Sequence, residues 1–305
     1  MLSARLPLRA PQLPRRASFA PRAACAALRF AGSVSMGKSA ALRSFRLFPA
    51  DSLFVSEPPP EWFGNPPNEK SNASWTNGNW LKSRFHFNFA EHSGGRASFG
   101  VLRVCNDDLV QPSRGFGTHP HRDAEIATYI VSGQLTHKDS TGTSETLGRG
   151  GVQFMTAGTG VRHSEHNRNG GAPLRFIQLW FSPRASGLPP RYGSCAGDAA
   201  ARRDKWAHLV GDVADASRSP PVKFNADANI FVTELGAGSK LPFALQAGRQ
   251  AYVLQLEGDA AVSGAHGEAT LAQHDGAELV GPSELSFKAG AKGAHVLLIE
   301  MAASA

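Results

Sequence analysis

The sequence has no run approaching the roughly twenty consecutive apolar residues that a membrane-spanning helix needs. It therefore predicts a soluble protein with no membrane partner. Cysteine is also scarce, since the three residues Cys25, Cys105 and Cys195 are scattered without the spacing of a metal site. They provide no disulfide framework, which is compatible with a reducing compartment.

Acidic residues are absent from the first fifty positions, which hold eight arginines and one lysine. The remainder has 23 basic against 25 acidic residues, so the net charge of +7 does not predict direct nucleic-acid binding. A basic opening rich in Ala, Ser and Pro is typical of organelle import, and residues 1–35 are predicted to be a disordered transit peptide for a chloroplast or mitochondrion. A disordered basic tail is the alternative, and a start at Met36 would give a protein of the cytoplasm or nucleus.

Helical alternation is missing from the middle of the chain, whereas Gly 32 and Pro 20 indicate many turns. Short apolar stretches with turn residues between them favour an all-β sandwich or barrel. The run Asn106-Asp107-Asp108 is predicted to be a turn with solvated or capping carboxylates. The strand candidates are Ile126 to Val131, Gln134 to Lys138, Ser144 to Leu147 and Val152 to Thr156.

Two pairs of potential metal ligands frame these strands. His119 and His121 are two residues apart, as are His163 and Glu165 about forty residues downstream, and residues two apart share one face of an extended chain. Two such pairs on neighbouring strands would form a pocket of three imidazoles and one carboxylate. This ligand set suits iron, copper, nickel or manganese, and a six-coordinate ion keeps about two positions open for substrate or oxygen.

Glu125 is a second candidate carboxylate, because it lies four residues after His121 and so on the same face of an extended chain. An extended chain places it about 13 Å beyond His121, which favours strand packing or support of a ligand over direct ligation. The remaining histidines are expected to be structural or solvated. They include His86, His92, His137, His166 and His208.

The second half of the chain repeats the strand pattern of the first half without its ligands. Where the first copy has His-Pro-His, the second has Ala-Leu-Gln-Ala-Gly-Arg, and His266, His274 and His295 have no partner at ligand spacing. We predict four segments: the leader at 1–35, a metal-binding domain at 43–182, a linker at 183–203 and a domain without metal ligands at 204–305.

Three runs resemble the pirin family closely. The resemblance is dense from Trp80 to Phe181, and the C-terminal half is more loosely similar to bacterial quercetin 2,3-dioxygenase-like pirins. The three runs are Phe116-Gly-Thr-His-Pro-His-Arg-Asp-Ala-Glu125, Leu135-Thr-His-Lys-Asp-Ser-Thr-Gly142 and Met155-Thr-Ala-Gly-Thr-Gly-Val-Arg-His-Ser-Glu165.

The resemblance implies two tandem cupin barrels, each a double-stranded β-helix or jelly roll. It implies one metal, in the first barrel only, held by the residues at His119, His121, His163 and Glu165. Pirins are associated with iron, so iron is the first expectation, with copper, nickel, cobalt or manganese as alternatives.

Two function classes follow from this resemblance. The first is a quercetin 2,3-dioxygenase, which cleaves a flavonol with O₂ and in which Glu165 is the catalytic base. The second is an iron or redox sensor that acts through a protein partner, as a transcription co-regulator does. Another cupin activity, such as an isomerase or decarboxylase, is a third option, because fold alone does not fix the reaction. The oligomeric state is left open.

Overall fold

The computed structural model describes residues 45–67, 79–265 and 267–303. The predicted leader and His266 lie outside these residues. Strands dominate the described part, which also contains one short helix, α1 (Ala199–Arg202), and 3₁₀ turns at Ala50–Ser52 and Pro60–Phe63. Within these ranges, no helix is long and apolar enough to cross a membrane.

After an initial strand, β1 (Phe45–Phe48), the first barrel is built from two sheets. Its strands are β2 (Phe54–Ser56), β3 (Leu81–Phe85), β4 (Leu102–Val110), β5 (Gly115–His121), β6 (Glu125–Ser132), β7 (Gln134–Asp139), β8 (Ser144–Gly148), β9 (Val152–Thr156), β10 (Val161–His166), β11 (Leu174–Phe181) and β12 (Arg191–Cys195). The seven-stranded sheet has the order β12-β9-β6-β11-β4-β3-β2, and the four-stranded sheet has the order β5-β10-β7-β8.

The second barrel is one nine-stranded sheet, and it includes β1. Its other strands are β13 (Ala207–Asp212), β14 (Val222–Phe224), β15 (Ala228–Leu235), β16 (Lys240–Leu245), β17 (Arg249–Gly264), β18 (Gly267–Leu271), β19 (Gly276–Val280) and β20 (Ser283–Ala302). The main path is β1-β19-β17-β20-β15-β13-β14, with β16 on β20 and β18 on β17. The predicted all-β fold of two tandem cupin barrels is confirmed.

One hydrophobic cluster runs through both barrels. It joins Tyr129 and Phe181 of the first barrel to Phe224, Tyr252 and Leu297 of the second. Because each of these side chains is at most 1% exposed, separating the barrels would expose a large apolar area to water. This shared core packs the seven-stranded sheet of the first barrel against the second barrel.

The four strand candidates between residues 126 and 156 correspond to β6, β7, β8 and β9. The predicted turn at Asn106-Asp107-Asp108 is wrong, because these residues lie inside β4 and are all buried. Arg175 offsets the cost of burying Asp107, because its guanidinium donates two hydrogen bonds of 2.8 and 2.7 Å to the Asp107 carboxylate. A carboxylate paired in this way can occupy a buried strand position.

Candidate metal centre

Strands β5 and β10 are antiparallel neighbours, and they carry the two predicted ligand pairs. His163 stands directly opposite His119, and Val161 stands opposite His121. This register brings three imidazoles together, with ring centroids 4.6 to 4.8 Å apart. Their ligand-capable nitrogens all lie within 4.8 Å of one another. The spacing of two along each strand and the pairing across the strands therefore build one cluster of nitrogen donors.

Hydrogen bonds orient two of these rings. His119 Nδ1 donates to the Gly117 carbonyl at 2.7 Å, and His163 Nδ1 faces His137 Nδ1 at 3.4 Å. Each ring is therefore left with Nε2 as its free acceptor. His163 Nε2 is buried and has no hydrogen-bond partner among the described residues. An unsatisfied buried polar atom costs roughly 1–3 kcal/mol, and a metal ion would supply the missing partner.

The three imidazoles are neutral at physiological pH, as metal ligation requires. Burial lowers the pKa of His119, and burial together with neighbouring His119 lowers the pKa of His121 to about 4. Burial, followed by the nearby His119, His121 and His137, lowers the pKa of His163 to about 2. Each ring therefore offers a lone pair without first losing a proton.

Behind the cluster, His137 and Asp139 support His163. His137 Nε2 donates to Asp139 Oδ2 at 2.8 Å, which leaves His137 Nδ1 as the acceptor that faces His163 Nδ1. Tyr192 stacks on the His137 ring at 4.7 Å. A carboxylate that fixes the tautomer of a ligand histidine in this way raises its basicity. Sequence reasoning missed this role for His137, although His137 and Asp139 have the same spacing of two as the predicted ligand pairs.

The Glu165 carboxylate is held by side chains from the facing sheet. A register shift between His163 and Glu165 precedes it, and its oxygens accept hydrogen bonds from Gln153 Nε2 at 2.9 Å and Gln178 Nε2 at 2.8 Å. Thr128 Oγ1 lies 3.2 Å away. Burial raises the pKa of Glu165 to about 7, against the lowering effect of these three donors. The carboxyl group is therefore poised to hold or release a proton near neutral pH.

Glu165 also lies close to the histidines. One of its oxygens is within 4.8 Å of a nitrogen of His137 and a nitrogen of His163, but Glu165 does not lie within this distance of all three clustered imidazoles. The rival carboxylate, Glu125, is fully buried elsewhere, where Thr156 Oγ1 donates to it at 2.9 Å and the backbone amide of Asn225 donates at 3.1 Å. The three imidazoles match the nitrogen donors of a transition-metal site. Ligation by Glu165 stays a prediction.

A mostly apolar cavity opens onto this cluster. It comprises about 740 Å³ of space, including its mouth, and His119, His121 and Glu165 form part of its wall. Trp62 is 63% exposed and lines the same cavity. Aromatic side chains form much of the remaining wall: Phe63, Phe85, Phe89, Phe116 and Trp180.

Comparison with known proteins agrees with this architecture. Residues 68–181 match the family described as Pirin, and residues 213–301 match the family described as Quercetinase C-terminal cupin domain. The Pseudomonas aeruginosa protein PA1210 is 39% identical over 74% of this chain and 94% of its own length. The quercetin 2,3-dioxygenase of Escherichia coli is 35% identical over 65% of this chain and 82% of its own length.

The expectation of import into a plastid or mitochondrion is wrong. Relatives that match over most of their own length come from bacteria, among them Pseudomonas aeruginosa, Zymomonas mobilis and Escherichia coli. The similarity to these bacterial proteins is the finding that overturns the expectation.

The fold comparison covers both barrels. The crystal structure of the bacterial pirin YhhW from Escherichia coli in complex with nickel(II) superposes with a TM-score of 0.70 and 26% identity. The match covers 85% of this chain and all of that chain. The family matches, the relatives that are more than a third identical and the shared two-barrel fold lead to one conclusion: the chain belongs to the pirin family.

Proposed function

We propose that this pirin is a flavonol 2,3-dioxygenase with one metal ion bound by His119, His121, His163 and Glu165. The proposal depends chiefly on one observation, namely that an aromatic cavity opens directly onto the imidazole cluster and Glu165. Relatives named quercetin 2,3-dioxygenase support the same activity. A sensor acting through a protein partner needs no substrate cavity, so this observation favours the enzyme.

In the proposed reaction, a flavonol and O₂ give the ring-opened ester and carbon monoxide. When bound, the metal ion supplies Lewis acidity and orientation for the hydroxyl oxygen of the flavonol. Iron is our first candidate, with nickel, copper, cobalt and manganese as alternatives, and nickel is supported by the YhhW structure, which is a complex with nickel(II). The donor set of neutral imidazoles and one carboxylate fits each of these ions.

The protein's own contribution begins with proton transfer. Glu165 accepts the proton of the flavonol hydroxyl, because its carboxylate lies in the wall of the cavity beside His119 and His121. Gln153 and Gln178 hold the carboxylate in place during this transfer. The aromatic walls pack against the flat rings of the substrate and exclude water from the site of oxygen attack.

The direct test adds quercetin to the metal-loaded protein under oxygen and follows the flavonol absorbance together with carbon monoxide release. We expect catalytic turnover that stops on chelation and returns when the metal is restored. Stoichiometric metal with unchanged quercetin would contradict the dioxygenase and favour the sensor alternative.

Glu165→Gln tests the role of the base. The three imidazoles should keep much of the metal, whereas turnover should fall by roughly 10²–10⁴-fold, because an amide cannot accept the proton. Glu125→Gln is the matched control, since Glu125 is buried against Thr156 and Asn225, and a loss of up to about tenfold there is tolerable. The reverse pattern, with metal lost only in Glu125→Gln, would place the ligand carboxylate at Glu125.

A further inference from the structure

A polar patch interrupts the aromatic wall of the cavity. Ser83 on β3 stands opposite Asp108 on β4, and Asn106 lies two residues before Asp108 on the same face of β4. All three side chains are at most 4% exposed, and all three line the cavity that contains His119 and Glu165. Polar groups on an otherwise apolar wall are the usual means by which a pocket orients its ligand.

Two features of this patch point to a missing partner. The Asn106 Oδ1 atom is buried and has no hydrogen-bond partner among the described residues. Ser83 Oγ donates to Asp108 Oδ1, and no other described side chain donates to Asp108. Because a buried unsatisfied acceptor is costly, its presence beside a cavity indicates that a bound molecule completes the hydrogen bonding.

Asp108 can donate as well as accept. Burial raises the pKa of Asp108 to about 8, opposed by the Ser83 hydrogen bond and assisted by the Asp107 and Glu165 carboxylates. At neutral pH the group is therefore a carboxylic acid, whose O–H is available to an oxygen atom in the cavity. Asn106 Oδ1 supplies an acceptor for a hydroxyl hydrogen. Together they offer one donor and one acceptor on the same stretch of wall.

We propose that Asn106 and Asp108 form a hydroxyl-binding subsite that selects aromatic substrates carrying ring hydroxyls beyond the one that reacts. This inference rests on the proposed function, and it specifies the substrate class as polyhydroxylated flavonols. The competing view is that Ser83 and Asp108 only join β3 to β4. A structural link of that kind would give no preference among substrates.

The test compares quercetin with 3-hydroxyflavone, which keeps the reacting hydroxyl and lacks the other ring hydroxyls. We expect the wild-type protein to favour quercetin in kcat/KM by roughly tenfold or more, as one or two net hydrogen bonds provide. Asn106→Leu and Asp108→Leu should each lower this preference, because the loss falls mainly on quercetin. Asp108→Asn, which still accepts from Ser83 and still donates, should retain more of the preference than Asp108→Leu.

Arg103→Gln is the control, because Arg103 lies on the exposed face of the same strand. Its preference for quercetin should equal that of the wild type. The comparison of the two flavonols on wild-type protein needs no variant, so it remains decisive if a substituted chain does not fold. Equal kcat/KM for the two flavonols on wild-type protein would overturn the subsite and leave the dioxygenase intact.

Equilibrium binding to the metal-loaded protein under nitrogen tests the subsite independently of the dioxygenase reaction. Quercetin bound roughly tenfold more tightly than 3-hydroxyflavone, with neither consumed on admitting oxygen, would support the subsite and contradict the dioxygenase. Equal affinity for both, or a preference that survives in both leucine variants, would contradict the subsite.

Discussion

His163 shows at the scale of single residues how a hydrogen-bond chain can determine which nitrogen faces a metal. The Asp139 carboxylate accepts from His137, and His137 in turn accepts from His163, so His163 Nε2 is the atom left without a partner. The arrangement requires one tautomer in each ring. Asp139 therefore acts on the centre through His137 and does not touch the metal itself.

Asp139→Asn should weaken metal binding by roughly 10–100-fold, because the amide no longer holds His137 in the required tautomer. A competition titration with a chelator measures the apparent Kd. Asp198→Asn is the control, since Asp198 caps α1 through the amides of Ala200 and Ala201 and asparagine caps a helix equally well. Equal metal affinity in the wild type and Asp139→Asn would show that the chain from Asp139 to His163 has no influence on the centre.

Spacing alone led to the cluster of His119, His121 and His163, because strand geometry is regular enough to fix which side chains share a face. The residues that surround this cluster could not be predicted from spacing. The roles of His137 and Asp108 depend on strand register and on burial, which no local pattern in the sequence expresses. Gln153 and Gln178 reach Glu165 only because β9 and β11 face the strand that carries it.

At the scale of the elements, β4 and β11 contain a buried ion pair that no local sequence pattern predicts. Arg175 and Asp107 are at most 7% exposed, and Arg175 also donates to the Leu256 carbonyl of the second barrel at 2.6 Å. His274 Nδ1 lies 2.6 Å from the same Asp107 carboxylate. Strands β4 and β11 are thereby tied to the second barrel through polar contacts as well as apolar packing.

Arg175→Met should lower the free energy of unfolding by roughly 3–5 kcal/mol, because it leaves the Asp107 carboxylate buried without its main partner. The double variant Asp107→Leu with Arg175→Met should lose less, since it removes both charges. Urea denaturation at pH 7 measures both changes. Lys82→Met provides the comparison, because Lys82 and Glu57 form a partly exposed pair at 3.9 Å that should contribute below about 1 kcal/mol. A double variant less stable than Arg175→Met would contradict this account.

The existence of strands was largely predictable at this scale, as β6 to β9 show. The assignment of each strand to a sheet was not predictable. β12 and α1 fall within the segment 183–203 that we predicted to be a linker, and β12 pairs with β9 at the edge of the first barrel. The division of the chain at residues 182 and 204 stays a prediction. Edge strands of this kind have weak periodicity, and their pairing depends on partners distant in the sequence.

At the scale of the whole molecule, the two barrels are joined through contacts that are sensitive to acid. His86, just after β3, hydrogen-bonds through Nδ1 to the hydroxyl of Tyr252 on β17 at 2.9 Å. Burial lowers the pKa of His86 to about 4, and Arg96 adds to this effect while Asp107 opposes it. The buried ring is therefore neutral in the folded protein and charges more readily when the chain unfolds.

This difference makes stability depend on pH. The unfolded chain binds a proton at His86 near pH 6.5, whereas the folded chain does so only near pH 4. The contribution of His86 is thus nearly complete above pH 6.5 and is lost as pH falls toward 4. The loss between pH 7 and pH 5 lowers the free energy of unfolding by about 2 kcal/mol. His86→Gln should reduce the fall in unfolding free energy over this interval by that amount, measured by urea denaturation at both pH values.

His92→Gln is the control for this comparison, because His92 is partly exposed and stacks on Phe54 within the first barrel. It should leave the pH dependence of stability close to that of the wild type. A His86→Gln protein whose stability falls as steeply with acid as the wild type would show that the contact between the barrels does not titrate as described.

We propose that His119, His121 and His163 together hold one transition-metal ion in the first barrel. Metal analysis of the purified protein, alongside His119→Ala, His121→Ala and His163→Ala and with His208→Ala as the control, tests this most directly. We expect about one metal ion per chain in the wild type and in His208→Ala, and little or none in the three other folded variants. Full metal occupancy in all three alanine variants would contradict it.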